Sequence, residues 1–298
     1  MPYFKQLHLT IYPLWRIRTI ERREIMGISI SKGQHIIDIG TRSKISDRYR
    51  RITRSVNRTF WNTDSDVAHS FYVGSYGRGT AIDTSDLDIL VELPDSEYIH
   101  FANASGNGPS RLLQAVKNAI LNTYPTTDIR GDGQVVVVRF SDNMKFEVLP
   151  AFSIQNLWGI TTYRYPDSHM GGNWMTTNPK AEQAAMKTKN EYSSSNGLLF
   201  DTCKHIRFIR DNFFSSYHLS GILIDTFCYN AIGGWHFTRD GEISVTPAMS
   251  YEQSLLNYYN ATTDNYRRCA INLWAPGSEQ IVSTDDWAIL GKVLNAIV

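Results

Sequence analysis

The order of apolar and polar residues along this chain predicts strands in its first half and helices in its second. Apolar, β-prone runs that end at Gly, Pro or turn residues indicate strands at 71–73 and 87–93 and a hairpin over 135–152. Apolar residues at helical spacing predict helices at 46–61, 109–121, 179–193, 198–213, 221–232, 250–260 and 285–298. Strands followed by helices are typical of an α+β fold.

Composition places the chain among globular proteins with a substantial core. Its 298 residues are 42% hydrophobic, enough for one large domain or two closely packed lobes. No apolar run approaches the ~18 residues of a membrane span, and charged residues interrupt Met1–Arg23, which excludes a signal peptide. Cys203, Cys228 and Cys269 have neither metal-site nor disulfide spacing, so we expect buried thiols in a reducing cytoplasm.

Positive charge is concentrated near the N-terminus. Residues 1–60 carry 13 Lys and Arg against four Asp and Glu, a net charge of +9, so the remainder is −8. The predicted helix 46–61 presents an arginine face: Arg48, Arg50, Arg51, Arg54 and Arg58. This face has two interpretations, a surface that binds RNA or triphosphate and a solvated face beside an acidic body. We favour the second.

The segment with the clearest chemistry runs from Gly74 to Asp88. Gly74-Ser75 follows an apolar strand, where a glycine lets backbone N–H groups approach a phosphate and the serine adds a donor. Asp86 and Asp88 are two residues apart on the next strand and therefore point to the same face. Two carboxylates this close repel each other unless a cation lies between them, and oxygen ligands suit Mg²⁺ or Mn²⁺. The segment therefore predicts a triphosphate grip beside a metal site.

A third acid is predicted in the hairpin. Glu147 lies between Phe146 and Val148, and a carboxylate in apolar surroundings is costly to bury unless it is paired or bound to metal. The alternative is a Glu on the solvent face of an edge strand. We expect the carboxylates of Asp86, Asp88 and Glu147 to converge on one metal from adjacent strands, with Asp142 as the substitute ligand if Glu147 faces away.

Together these motifs resemble the polymerase-β nucleotidyltransferase superfamily, and most of all the bacterial cGAS/OAS-like synthases, the CD-NTases. The similarity covers about residues 40–235. Beyond the acids it includes Tyr165-Pro166-Asp167, Trp174, Thr177-Asn178-Pro179, the basic helix Cys203–Arg210 and the segment Leu219–Asp225. One difference is Glu147, where many members have Asp, because Glu reaches one methylene further.

This resemblance implies a fold and its boundaries. The expected fold is α+β, a polymerase-β-type nucleotidyltransferase core of mixed sheet and helices, plus a helical OAS-like C-terminal lobe across a central cleft. The implied divisions are 1–26 for a loosely packed extension, 27–165 for the core with bracing helix 46–61, and 166–298 for the lobe. Lys204 and Ser220 would bind the triphosphate together with Gly74 and Ser75.

The resemblance also implies an activity. A CD-NTase makes cyclic di- or tri-nucleotides from NTPs by two-metal attack of a ribose hydroxyl on the donor α-phosphate, in antiphage (CBASS) signalling. The implied catalytic and metal-binding residues are Asp86, Asp88 and Glu147, with Mg²⁺ or Mn²⁺. The implied partners are ATP, with GTP or pyrimidine NTPs as alternatives, and an effector protein that responds to the product. No membrane and no long nucleic acid are expected as partners.

Two other functions stay open from the residues alone. The same chemistry could act on a polymer 3′ end or another hydroxyl acceptor, although the near-neutral overall charge argues against tracking of long RNA. An RNA-binding sensor that uses the arginine face is a third interpretation, and the presence of all three acids counts against it. Arg78 has two interpretations as well, contact with phosphate and an ion pair with Asp83 that fixes the loop. Asp201 and Asp225 are expected to be cap or ion-pair residues.

Overall fold

A computed structural model describes residues 29–82, 86–243, 247–265 and 271–298. The predicted extension 1–26 lies outside the described residues, as do Asp83 and Cys269. The elements of the first part, in chain order, are α1 (Ile39–Phe60), β1 (Ser70–Tyr72), α2 (Gly74–Gly77), β2 (Leu87–Glu92), α3 (Asp95–Ala102), α4 (Gly108–Leu121), β3 (Asp128–Asp132), β4 (Val135–Arg139), β5 (Lys145–Gln155), β6 (Thr161–Asp167) and β7 (Asn173–Thr177). Those of the second part are α5 (Pro179–Asn190), α6 (Leu198–Phe213), α7 (Gly221–Ala231), α8 (Tyr251–Asn265), β8 (Leu273–Trp274), β9 (Ile281–Val282) and α9 (Trp287–Ile297).

The first part is built on one mixed sheet. Its strand order is β1-β2-β5-β4-β3, and β6 and β7 extend it from the far end of β5. β2 and β5 are parallel, whereas the other neighbouring strands are antiparallel. β5 has 11 residues, so its first part pairs with β2 and β4 and its last part pairs with β6. The β2–β5 ladder at the centre carries the candidate acids. The predicted α+β fold is confirmed.

One face of this ladder forms the first hydrophobic core. Helical spacing predicts a buried stripe on α1 of Ile45, Tyr49, Ile52, Val56 and Phe60. The first four are buried, and Phe60 is partly buried. Helix α1 packs in one cluster with alternate residues of the two central strands, Leu87, Ile89, Val91, Phe146 and Val148. Because strand residues alternate between faces, Asp88 and Glu147 are left on the opposite face. The arrangement of the core thus decides where the acids point.

The second part is helical and has a core of its own. Helices α5 to α9 contribute its buried residues, which include Met186, Ile206, Leu223, Leu255 and Leu290. Cys203 and Cys228 are free and buried in this core, as predicted for small apolar residues. None of the described helices combines the length and the apolar character that crossing a membrane requires.

The predicted and observed elements differ mainly at their ends. Helix α6 has the predicted bounds, but α1 begins at Ile39 rather than residue 46, because the Asp38 side chain accepts a hydrogen bond from Thr41 N (2.9 Å) and caps the helix there. The sheet continues through β7 to Thr177, past the predicted division at 165.

Candidate active site

The segment predicted to grip a triphosphate, which begins at Gly74-Ser75, forms a one-turn helix. Val73 N donates to Asp88 O (2.8 Å) and thereby joins this turn to β2. Gly74 has φ +57°, and a Cβ there would lie 1.8 Å from Asp88 Oδ2. The turn closes where Thr80 N donates to Ser75 O (2.9 Å). Glycine is thus required at residue 74 both for its backbone conformation and for the approach of the Asp88 carboxylate.

Two of the acids are paired across neighbouring strands. The parallel register of β2 and β5 sets Asp88 opposite Glu147. Residues paired in this way point to the same face, and Asp86, two residues before Asp88, points there too. Phe146 and Val148 are fully buried on the other face. Glu147 therefore does not face away from the other acids. Asp142, the substitute ligand considered above, forms an ion pair with Arg48 instead (2.8 Å).

The carboxyl of Asp88 has a strongly raised pKa. Burial and the nearby Glu147 carboxylate raise the pKa of Asp88 to about 7, with a smaller contribution from Asp86. Arg78 and Lys145 act in the opposite direction and do not compensate for these effects. A carboxylate with this pKa is stabilised in its ionised form by a nearby cation.

Lys145 supplies the cation that the structure places among the acids. Its Nζ lies 2.5 Å from Asp86 Oδ2 and 2.8 Å from Glu147 Oε1. Burial would lower the pKa of Lys145, but the hydrogen bonds to Asp86 and Glu147 outweigh burial and raise it. In the described part of the chain, no group of three or more His, Cys, Asp or Glu side chains has the arrangement of a metal site. The expected convergence of three carboxylates is thus not seen among the described residues, where the Lys145 ammonium lies between Asp86 and Glu147.

The donor set nevertheless fits Mg²⁺ or Mn²⁺. Asp86, Asp88 and Glu147 offer hard oxygen ligands from two adjacent strands, which is the donor type these ions prefer. The Lys145 ammonium between Asp86 and Glu147 is a stand-in cation that marks where positive charge is held.

A buried ion-pair network connects the short helix α2 with the helical part. Arg78, directly after α2, donates through Nε to Asp225 Oδ2 of α7 (2.8 Å) and through Nη1 to Glu182 Oε2 of α5 (3.1 Å). Thr80 Oγ1 also donates to Asp225 Oδ2 (3.0 Å). Arg207 binds both Asp225 oxygens (2.6 and 2.9 Å). Of the two interpretations of Arg78, fixing the loop is thus supported, through Asp225 and Glu182. The predicted pairing with Asp83 lies outside the described residues and stays a prediction.

The contacts of Lys204 and Ser220 lie within the helical part. Lys204 Nζ is 3.9 Å from Asp201 Oδ1, and its side chain is 18% exposed. Ser220 is the N-cap of α7, where its Oγ accepts from Leu223 N (3.4 Å), and Ser220 N donates to Asp286 Oδ2 (3.0 Å). The ion-pair roles of Asp201 and Asp225 are confirmed. The binding of triphosphate by Lys204 and Ser220 stays a prediction.

Ser220 borders a concave region that the sequence did not single out. This cavity of about 440 Å³ is lined by Arg210, Asp211, Ser215, Tyr217, His218, Leu219, Ser220 and Gly221. Arg210 Nη1 donates to Leu219 O (3.0 Å), and this hydrogen bond holds the Arg210 guanidinium next to the N-terminus of α7. The basic helix motif could have indicated Arg210, but its separation from Ser220 only becomes short through the α6–α7 turn.

The arginine face of α1 is mostly paired with carboxylates. Arg48 binds Asp142, Arg51 binds Asp47, Arg54 binds Asp66 and Arg58 binds Asp64. The solvated interpretation of this face is therefore supported over the RNA-binding one.

Comparison with known proteins gives the family. Residues 34–190, more than half of the chain, match the Second Messenger Oligonucleotide or Dinucleotide Synthetase domain. A cyclic AMP-AMP-AMP synthase from Acinetobacter sp. is 32% identical over 114 residues, which span 38% of this chain and 31% of that relative. The matched segment thus covers less than a third of the curated relative.

Solved structures share the fold at low sequence identity. The Elizabethkingia meningoseptica CdnE cyclic dinucleotide synthase with GTP and Apcpp has a TM-score of 0.57 at 15% identity, and the match covers 84% of this chain and 89% of that one. The Bradyrhizobium diazoefficiens CD-NTase CdnG in complex with GTP has a TM-score of 0.57 at 14% identity, over 87% and 83% of the two chains. With its family domain matched and this fold around the paired acids, the chain belongs to the second messenger oligonucleotide or dinucleotide synthetases, a family of nucleotidyltransferases.

Proposed function

We propose that this enzyme makes cyclic di- or tri-nucleotide second messengers from cytoplasmic NTPs, and that an effector protein responds to the product in antiphage defence. The observation that carries the proposal is the β2–β5 register, which sets Asp88 opposite Glu147 beside Gly74. The proposed class of product agrees with the cyclic nucleotides named for the Acinetobacter and Elizabethkingia relatives.

Asp86, Asp88 and Glu147 are the residues that would hold Mg²⁺ or Mn²⁺. When bound, such ions lower the pKa of an attacking hydroxyl and stabilise the charge of a pyrophosphate leaving group. The carboxylates bring oxygen ligands to the face where Gly74 and Ser75 meet β2. Catalysis of phosphoryl-type transfers comes mainly from positioning of the reactants and neutralisation of their charge. Here Gly74 and Ser75 would position the triphosphate, and the acids would hold the ions that neutralise its charge.

The other residues orient the donor nucleotide. Ser75 contributes its backbone N–H and hydroxyl to the triphosphate, and Lys204 and Ser220 contribute a charge and a hydroxyl from the helical part. The ribose hydroxyl of the acceptor attacks the donor α-phosphate, pyrophosphate leaves, and the hydroxyl proton passes to Glu147 or to water. In the last transfer, the second for a dinucleotide and the third for a trinucleotide, a hydroxyl of the linear product attacks its own α-phosphate, a further pyrophosphate leaves and the ring closes.

The first test is product identification. Purified protein is incubated with the four NTPs and Mg²⁺ or Mn²⁺, treated with phosphatase and analysed by mass spectrometry. A phosphatase-resistant cyclic nucleotide is expected. Labelled polymer would instead show the alternative acceptor, and no product with any metal, together with tight RNA binding, would overturn the proposal in favour of a sensor.

The double variant Asp86→Asn/Asp88→Asn is the matched control. We expect it to abolish the product, because the neutral Asn amides bind a divalent ion much more weakly than the Asp carboxylates do. We expect its unfolding free energy to be equal to or higher than that of the wild type, since like-charge repulsion at Asp88 is relieved. Substantial synthesis by a folded double variant would contradict the assignment.

A further inference from the structure

Lys145 has a position that neither the fold nor the proposed reaction explains. It is the first residue of β5 and precedes Glu147 by two residues, so both side chains point to the same face. Its ammonium is within hydrogen-bond distance of carboxylates from both sides of the β2–β5 ladder, at 2.5 Å from Asp86 and 2.8 Å from Glu147. The lysine side chain is only 18% exposed. Such a lysine is held at this place by the acids and is not a surface residue.

The ammonium and a divalent ion exclude each other from these oxygens. Mg²⁺ binds oxygen ligands at about 2.1 Å, so an ion on the oxygens that now accept from Lys145 would lie within about 5 Å of the ammonium. The repulsion between a single and a double positive charge at that distance is large at a site of limited exposure. In addition, the described residues show no group of three acids in the arrangement of a metal site while Lys145 is in place.

We propose that Lys145 is a built-in counter-cation that a divalent ion must displace, and that it sets the metal concentration at which the enzyme is loaded. Without metal, the single positive charge of Lys145 is shared between Asp86 and Glu147 and offsets part of their mutual repulsion. With metal, the flexible lysine stem carries the ammonium away, and the carboxylates close on the ion. The metal site itself rests on the proposed function, whereas the role of Lys145 is tested by binding alone.

The test compares Mn²⁺ binding to the full chain without nucleotide. Free Mn²⁺ is measured by electron paramagnetic resonance for the wild type, Lys145→Met, Lys145→Arg and Lys189→Met. Lys189 is the matched control, because its ammonium lies over the Tyr229 ring (5.1 Å) and not between carboxylates. We expect Lys145→Met to bind Mn²⁺ about tenfold more tightly or better. Lys145→Arg, which keeps the charge, and Lys189→Met should resemble the wild type.

A second measurement detects the loss of the counter-cation directly. In EDTA, Lys145→Met should melt at a lower temperature than Lys189→Met, and it should gain more than the wild type when Mn²⁺ is added. Unchanged or weaker Mn²⁺ binding by Lys145→Met would overturn the proposal, and so would equal tightening by Lys145→Arg, because charge would then not be the cause.

The outcomes separate this inference from the proposed function. Tighter binding by Lys145→Met that is lost in a triple variant with Asp86→Asn and Asp88→Asn supports the inference, even if no cyclic product forms. Equal binding by the wild type and Lys145→Met, with normal product, overturns the inference and leaves the proposed function standing. No Mn²⁺ binding by any variant at millimolar concentration overturns the inference, and the proposed function is then decided by the product assay alone.

Discussion

At the scale of single residues, the site depends on close approaches that tolerate little change. Gly74 and Asp88 touch at a point where even a methyl group has no room. Asp86 and Glu147 share one ammonium group, and Asp88 lies beside them with its pKa raised to about 7 by burial and by Glu147. The negative charge of the three carboxylates is therefore only partly compensated by neighbouring cations, as is common at functional sites.

Gly74→Ala should separate backbone cost from site geometry. The left-handed conformation alone costs roughly 1–2 kcal/mol for a non-glycine residue. Gly106→Ala is the control, because Gly106 has φ +82° and a Cβ there would meet nothing within 4 Å. We expect Gly74→Ala to lose about 3 kcal/mol or more of unfolding free energy in denaturant titrations, and to lose product, because the Asp88 carboxylate must move.

Gly106→Ala should show the smaller, conformational loss and keep its activity. Equal losses in the two variants would mean that the contact between Gly74 and Asp88 carries no energetic weight.

At the scale of elements, the helices were more predictable than the strands. Helix α6 has the predicted bounds, because its apolar stripe runs the whole length between Gly197 and the turn after Phe213. Strands β3, β6, β7, β8 and β9 and the short helix α3 were not predicted. The exposed, polar residues of β3 and β7 give no alternating apolar pattern. The one-turn helix α2 is too short for any period.

The candidate site divides in the same way. Asp86, Asp88 and Glu147 could be predicted because strand alternation fixes their common face. Lys145 could not, because a lysine two residues before an acid is equally typical of a solvated strand face. The pairing of Arg78 with Asp225 joins residues 147 positions apart, and local patterns carry no information about such contacts.

The start of helix α7 offers a test of the triphosphate clamp. Ser220→Ala removes an N-cap and should cost about 1 kcal/mol of unfolding free energy. If Ser220 and Lys204 also bind the triphosphate, Ser220→Ala and Lys204→Ala should each raise KM for NTP, by an equivalent of about 1–3 kcal/mol for Lys204.

Asn107→Ala is the matched control for the cap. Asn107 caps α4 through Ser110 N (2.9 Å), so its loss should lower stability without changing KM. The clamp is wrong if KM for NTP is the same in wild type, Ser220→Ala and Lys204→Ala.

At the scale of the whole molecule, Asp225 joins the two parts. Its side chain is fully buried and accepts hydrogen bonds from Arg78 of the sheet-bearing part and from Arg207 of the helical part. Burial by itself would raise the pKa of Asp225, but these two guanidinium groups outweigh it and hold the pKa at about 2, below the ordinary value of 3.8.

Asp225→Asn should destabilise the protein strongly, since it leaves Arg207 buried without its counter-charge. We expect a loss of about 3–5 kcal/mol of unfolding free energy. Asp64→Asn is the control, because Asp64 pairs with Arg58 on the surface with 77% of its side chain exposed, and an ion pair so exposed to water contributes little to stability.

The ion pairs of Asp225 with Arg78 and Arg207 also predict how stability changes at low pH. Because the folded pKa of Asp225 lies below its unfolded value, its contribution is complete above about pH 4 and is lost as the pH falls through about 2. The difference in unfolding free energy between wild type and Asp225→Asn should therefore shrink between pH 4 and pH 2. A constant difference over this range would show that the pKa of Asp225 is the same in the folded and unfolded protein, so that the two guanidinium groups do not lower it.

The Arg78 network also bears on how such enzymes can be recombined. Arg78 lies in the sheet-bearing part, whereas Glu182 of α5 and Asp225 of α7 lie in the helical part, so the network draws on separate stretches of the gene. A crossover anywhere between residues 80 and 225 would combine an arginine from one parent with an acid from another. We therefore expect chimeric enzymes to fold and remain active only when both parents encode the same three residues. This network thus determines which halves can be combined.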